Sequence, residues 1–374
     1  MEVGFGRGLL TPQVPVVLAG FGARKEPATE VHDDLEVHAV VFRDGGTTVC
    51  LLVLDLLLLG ADFAGPVRAA VGQLLGVPVA QVLTASVHTH SGPAASASMK
   101  RARWPVPPGY LDVVLAGCLD AARQAQASLV PATLSYAREP LPDGLGFNRR
   151  ELPYDPSYAV LEVRSPAGEL VGTLGNVGIH PVALGTGCHA VSSDWVGSYR
   201  AAVTASTGAP AVLLQGALGD VNPHGFDHDH PVEGGDWARA EELGREVAQA
   251  VEDLLTRTAP LPGQVAVVGH RVTRHRAAPT LASIIGGKAY RSVEVELVEW
   301  SLGGVRLVSV PGEPFDALGN AILRARDDRA LVAAVSPEWL GYLPSPFRQG
   351  YEESMSYGRR FVAEVAALLT TPPR

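Results

Sequence analysis

Cysteine is scarce in this 374-residue chain. Only Cys50, Cys118 and Cys188 occur, so at least one is unpaired, and no two stand in a C-x-x-C arrangement. That argues against a disulfide scaffold and against a cysteine zinc cluster. Positive charge is also in deficit, with 30 Lys and Arg against 39 Asp and Glu and no basic run. The balance argues against nucleic acid and against an anionic membrane surface as partners. Long apolar runs are missing too. The longest, "VCLLVLDLLLLG", is interrupted by Asp55 and is too short to span a bilayer. The N-terminus lacks a basic segment followed by an apolar stretch and a cleavage site, which predicts a soluble, cytoplasmic protein without stable membrane insertion.

What is present is an apolar-rich composition, 47% hydrophobic, punctuated by 41 Gly and 29 Pro spread along the chain. This suits a sizeable buried core and not a disordered segment. "GTTVCLLVLDLLLLG" (46–60) predicts a buried strand, "AGPVRAAVGQLL" (64–75) a helix with proline in its first turn, and "AQVLTASV" (80–87) a second strand. Together they form a strand–helix–strand unit. "YAVLEVRSPAGELVGTLGNVGIHP" (158–181) predicts a hairpin turned at Pro166-Ala167-Gly168. "APAVLLQGALGDVNP" (209–223) is a short strand entering a Gly-Asp loop, and residues 236–257 carry the apolar spacing of an amphipathic helix. "SVEVELVEWSLGGVRLVSVPGEPF" (292–315) is a second hairpin, turned at Gly303-Gly304. A last strand begins at Ala330, and a closing helix is expected from about Glu352 to Leu369. Hairpins mixed with crossovers predict an α/β fold with a mixed β-sheet core and flanking helices. No domain boundary is visible, so residues 1–374 are expected to form one domain.

The few reactive side chains fall at strand ends. His88 and His90 in "TASVHTHSGP", His180 in "GIHP" and Glu313 in "PGEPF" each follow an apolar strand and enter a Gly/Pro loop. Two imidazoles and a carboxylate form a donor set of catalytic zinc sites. On an extended segment His88 and His90 share one side, so one can bind metal while the other faces substrate. Each residue taken alone is more often a hydrogen-bonded structural group than a ligand, and Glu313 equally suits a place beside a helix N-terminus. Spacing leaves both readings open.

"HTHSGP" (88–93), "IHP" (179–181), "GDVNP" (219–223), "VPGEPF" (310–315) and "GYLPS" (341–345) followed by "GYE" (350–352) occur in this order. With "FNRR" (147–150) and the opening "VGFGRGLLTP", in which Leu9 replaces a usual acidic residue, the set resembles the catalytic domain of the neutral/alkaline (non-lysosomal) ceramidases. The resemblance covers essentially the whole chain. It implies a neutral ceramidase-like α/β fold and one Zn2+ ion held by His88, His180, Glu313 and Tyr342. It places His90 in the pocket, and Arg149 and Tyr351 beside the scissile amide. The implied activity is zinc-dependent hydrolysis of a linear C–N amide bond, with a small N-acyl amide as substrate. Unlike in that family, no further immunoglobulin-like domain and no secretion signal are expected. Gly216 in "QGALGD" is expected where the family carries a catalytic serine. That substitution keeps an alternative alive, a non-catalytic zinc- or ligand-binding relative. A metal-independent hydrolase built on Cys188 is a further alternative.

Several other residues invite roles. The "FDHDH" stretch (226–230) is expected to be a solvated loop in preference to a second metal site. Asp220 and Asn222 are expected to brace their loop. Asp55 and Asp194 can either accept a hydrogen bond from a metal-binding imidazole or cap a loop.

Overall fold

The structure is a computed structural model that describes residues 1–373. Strands β1 (Glu2–Leu9), β2 (Glu36–Asp44) and β3 (Thr47–Leu54) pair antiparallel. Helix α1 (Ala61–Leu75) then returns the chain to β4 (Val82–Ser86), parallel to β3. The predicted strand–helix–strand unit is therefore present, although α1 begins a turn early and holds Pro66 in its interior. β3 is buried on both faces from Val49 to Leu54, which is why its sequence is a continuous apolar run without alternation. Helix α2 (Tyr110–Ala127) covers β1 and β2.

A second sheet follows the order β8-β7-β6-β5, from β5 (Thr133–Pro140), β6 (Ser157–Arg164), β7 (Leu170–Val177) and β8 (Ala211–Gln215). β6 and β7 form the predicted hairpin, and helix α3 (Trp195–Thr207) links β7 to the parallel β8. Helix α4 (Trp237–Leu255) packs on α3 through Leu243, Val247, Val251 and Leu254, the apolar stripe visible in its sequence.

The third sheet contains β9 (Val265–Arg276), β10 (Ser292–Leu302), β11 (Val305–Ser309) and β12 (Ala330–Ala333) in chain order. The turn at Gly303-Gly304 is present, and helix α5 (Asp316–Arg324) connects β11 to the parallel β12. The expected C-terminal helix is divided. One turn, Tyr351–Ser354, precedes helix α6 (Arg359–Leu369), and Gly358 between them has φ +101°, which no α-helix accommodates.

The core is thus mixed α/β as expected, but split into three main sheets. Each combines a hairpin with one parallel pair: β3/β4, β7/β8 and β11/β12. One cluster of buried side chains, including Leu51, Leu161 and Leu307, joins all three sheets. The loops that leave β4, β7 and β11 carry the reactive residues. Among the described residues, no helix is long and apolar enough to cross a membrane.

Candidate active site

Residues from three distant loops meet in one buried cluster. Glu313 Oε2 lies 3.2 Å from His180 Nε2 and 3.4 Å from His88 Nε2, with all three side chains almost fully buried. His88 holds φ +73°, a conformation uncommon outside glycine and one that recurs where function fixes a backbone. Glu313 belongs to a two-residue strand parallel to Tyr342-Leu343, with Glu313 directly opposite Tyr342. That approach requires Gly312, whose φ is +148° and whose missing Cβ would stand 2.1 Å from the Gly341 carbonyl oxygen.

Hydrogen bonding sets the electrostatics. His88 Nδ1 donates to the Leu57 carbonyl at 2.6 Å and His180 Nδ1 to the Val221 carbonyl at 3.0 Å. A carbonyl only accepts, so both Nδ1 atoms carry the proton, and a neutral ring turns its Nε2 lone pair toward Glu313. Burial pushes His180 down to about 4 against the opposing pull of Glu313, so at neutral pH it is that neutral ring. Burial works to raise Glu313, yet the neighbouring His88 and His180 hold it well below the usual carboxylate range. A buried carboxylate between two imidazole Nε2 atoms needs a cation, supplied either by a proton on an Nε2 or by a metal ion in its place. The donor set therefore fits a divalent metal ion, and carbonyl-anchored imidazoles are the usual way metal-binding histidines are oriented.

His90 joins this group, since the ligand atoms of His88, His90 and His180 lie within 4.8 Å of one another and can hold a metal ion. Neither ring nitrogen of His90 has a hydrogen-bond partner among the described residues. Burial, with His88 and His180 adding to it, keeps its pKa well below that of a free imidazole. Its ring is seated on Gly20, where a Cβ would stand 2.5 Å from the imidazole, and Arg24 donates to its carbonyl at 2.6 Å.

Tyr342 is buried beside the cluster, its ring stacked 6.5 Å from that of His180. Burial first, and Glu313 second, push its phenol well above the ordinary value. Arg149 is more committed than its sequence position suggests. Its guanidinium donates to Glu352 Oε1 (2.9 Å), Asn222 Oδ1 (2.8 Å), the Gly219 carbonyl (2.7 Å) and, at 3.4 Å, the Tyr342 hydroxyl. It braces the Gly-Asp loop against Tyr342 in place of standing open to a ligand. Tyr351 is on the rim, 59% exposed, with its ring 6.1 Å from that of Tyr342. The cluster opens into a cleft of about 480 Å³, open mouth included, walled by Leu57, Leu58, Met99, Trp104, Ile285 and Trp339.

The remaining candidates separate clearly. Asp55 makes no hydrogen bond to an imidazole among the described residues; it takes a bidentate pair from Arg200 at 2.7 and 2.6 Å and accepts the Glu36 N–H. Asp194 caps α3 and accepts the backbone N–H groups of Ala183, Leu184 and Trp195. Asp220 bridges Asn148 and the Asp316 N–H, and Asn222 joins through Arg149. Gly216 does not line the cleft: its N–H bonds the Val177 carbonyl, and it faces a separate crevice with Asp316 and Asn320. A role argued from a missing serine there has no support from position; Asn222 is the loop residue that reaches Arg149. Cys188 is buried, its thiol pushed up by that burial, while His189 bonds the Glu26 carbonyl instead. No nucleophile–base pair forms. Asp227 folds back on the N–H groups of Asp229 and His230, as in a solvated loop. Sequence inspection missed Trp339, whose indole N–H donates to Glu313 Oε1 at 2.7 Å; only its place just before "GYLPS" hinted at it.

No protein-family model and no curated protein sequence matches the chain. Solved structures do. The neutral ceramidase from Pseudomonas aeruginosa superposes with a TM-score of 0.84 at 17% identity, over 99% of this chain and 73% of that one. A ceramidase complexed with C2 gives 0.83 at 16% identity, over 100% and 76%. The chain has the α/β fold of the neutral ceramidases.

Proposed function

We propose that the chain is a zinc-dependent amidohydrolase of the neutral-ceramidase type, cleaving the C–N bond of an N-acyl amide, with residues 1–374 as one catalytic unit. The observation that carries this is the convergence of His88 Nε2 and His180 Nε2 on Glu313 Oε2, each imidazole anchored through Nδ1. His88, His180, Glu313 and Tyr342 would hold the ion. When bound, zinc supplies Lewis acidity and lowers the pKa of water toward ~7.

The chain's own groups do the rest. The apolar wall of Leu57, Leu58 and Trp104 holds the acyl side and excludes bulk water. The Tyr351 phenol, at the mouth, donates to the carbonyl oxygen as negative charge develops on it. His90, with two unpartnered nitrogens, takes a proton from the attacking water and passes it to the departing nitrogen. Arg149 fixes the Tyr342 phenol. Addition of water across the C–N bond releases a carboxylic acid and an amine.

The test is the metal content of the purified protein beside His88→Ala and Glu313→Ala, with turnover of a soluble short-chain N-acyl amide. About one zinc per chain, lost in both variants together with turnover, is expected. A parent that takes up no metal on titration, or that hydrolyses the amide equally after chelation, overturns the proposal.

A further inference from the structure

Although the chain is acidic overall, two segments at the mouth of the cleft are basic, with Asp62, which accepts the Ala97 N–H at 2.7 Å, and Glu338 beside them. Two segments that line the cleft from inside, the 3₁₀ turn Ala97–Ala102 and the short helix Leu281–Ile285, pack together there. The Arg101 guanidinium donates to the Ile285 carbonyl at 3.0 Å and ties them. Residues 97–104 and 281–291 contain five Lys or Arg and no Asp or Glu. Lys100, Arg101, Arg103 and Arg291 are exposed. None of the five is ion-paired among the described residues, in contrast to Arg274 and His270 on the adjoining β9, which meet Glu294 and Glu296. No single stretch of sequence shows this cluster, because it forms only when the two segments meet.

The same rim carries apolar tips. Ala282 and Ile285 face into the cleft, while Leu281 (48% exposed), Ile284 (55%) and Tyr290 (66%) project outward. A scattered apolar residue on a surface means little. Three on one rim, interleaved with unpaired cations and set around an apolar cleft, match the composition of an interfacial membrane-binding surface.

We infer that the mouth of the cleft docks on an anionic lipid surface, with Leu281, Ile284 and Tyr290 entering the headgroup region and Lys100, Arg103 and Arg291 meeting lipid phosphates and carboxylates. The net charge of the whole chain predicts the opposite, but local charge governs contact within a Debye length. Docking in this orientation sets the cleft directly against the membrane. The purpose of that orientation rests on the proposed function; the binding itself does not.

The experiment is co-sedimentation of the full chain with vesicles of phosphatidylcholine alone and of phosphatidylcholine mixed with phosphatidylserine, at low and high salt. It is run on the parent, on Lys100→Gln with Arg103→Gln, and on Leu281→Ser with Ile284→Ser. Parent binding is expected only with phosphatidylserine and is lost in high salt. Each charge removed lowers the partition coefficient about five-fold at low ionic strength. The serine variant is expected to weaken binding while turnover of the soluble amide stays at the parent rate. Equal partitioning of parent and charge variant overturns the inference. So does binding to soluble polyglutamate without binding to the vesicles, which marks an acidic protein as the partner. Loss of turnover with intact vesicle binding sinks only the hydrolase proposal, so the two failures are distinguishable.

Discussion

Two buried polar clusters lie within this fold, and they are built in opposite ways. In one, Asp55 and Arg200 form a bidentate pair, and the carboxylate also accepts the Glu36 N–H, so every strong group is answered by a partner from the chain. In the other, the Nε2 atoms of His88 and His180 converge on the Glu313 carboxylate, and His90 beside them has no hydrogen-bond partner for either nitrogen among the described residues. The first cluster is electrically complete. The second is completed only by a cation. Burial is alike in the two, so burial does not separate a structural site from a functional one; the charge ledger does.

The sharpest way to break this comparison is Glu313→Gln, which keeps the size and removes the charge. We expect metal binding to be lost and amide turnover to fall by at least ~10³-fold, with the thermal transition retained. Retention of both metal and rate would place the two clusters in one category. Asp55→Ala is the converse: it leaves the Arg200 guanidinium buried and alone, and should cost about 3–5 kcal/mol in urea unfolding while metal content stays at the parent level.

Asp194 gives an intermediate case, a buried carboxylate answered by backbone N–H groups but by no cation. Burial pushes it up to about 6, with those donors opposing. Its folded pKa lies above the unfolded value near 3.8, so between these limits the native state holds a proton that the unfolded state releases. Its contribution is therefore most favourable below about pH 4, declines as pH rises through about 6, and is level above that. The decline is on the order of 3 kcal/mol and should be absent in Asp194→Asn, as read from urea midpoints across that window. The smallest effect belongs to Arg149→Lys. An ammonium cannot make the guanidinium's separate bonds to Glu352, Asn222 and Gly219, so Tyr342 loses its brace. We expect kcat to fall roughly 10–100-fold with KM little changed. An equal rise in KM would place Arg149 in substrate binding instead.

Much of the fold was legible because local physics writes it into short stretches. The apolar run of β3, the stripe on α4 and the turn at Gly303-Gly304 all follow from residues within one element. The errors share a cause. The break at Gly358 depends on what the chain meets after Ser354, and Pro66 inside α1 on what precedes it. That Gly216 faces a crevice apart from the cleft depends likewise on the path of its loop.

By itself the sequence determined the alternation of strands and helices, the α/β class, and that His88, His180 and Glu313 stand at strand ends, because apolar periodicity and turn chemistry act over a few residues. Only the tertiary structure decided that those ends converge, that Arg200 answers Asp55, and that two basic segments meet at one rim. These are pairings across long stretches of chain, and their energy exists only when packing of the three sheets brings the partners within reach.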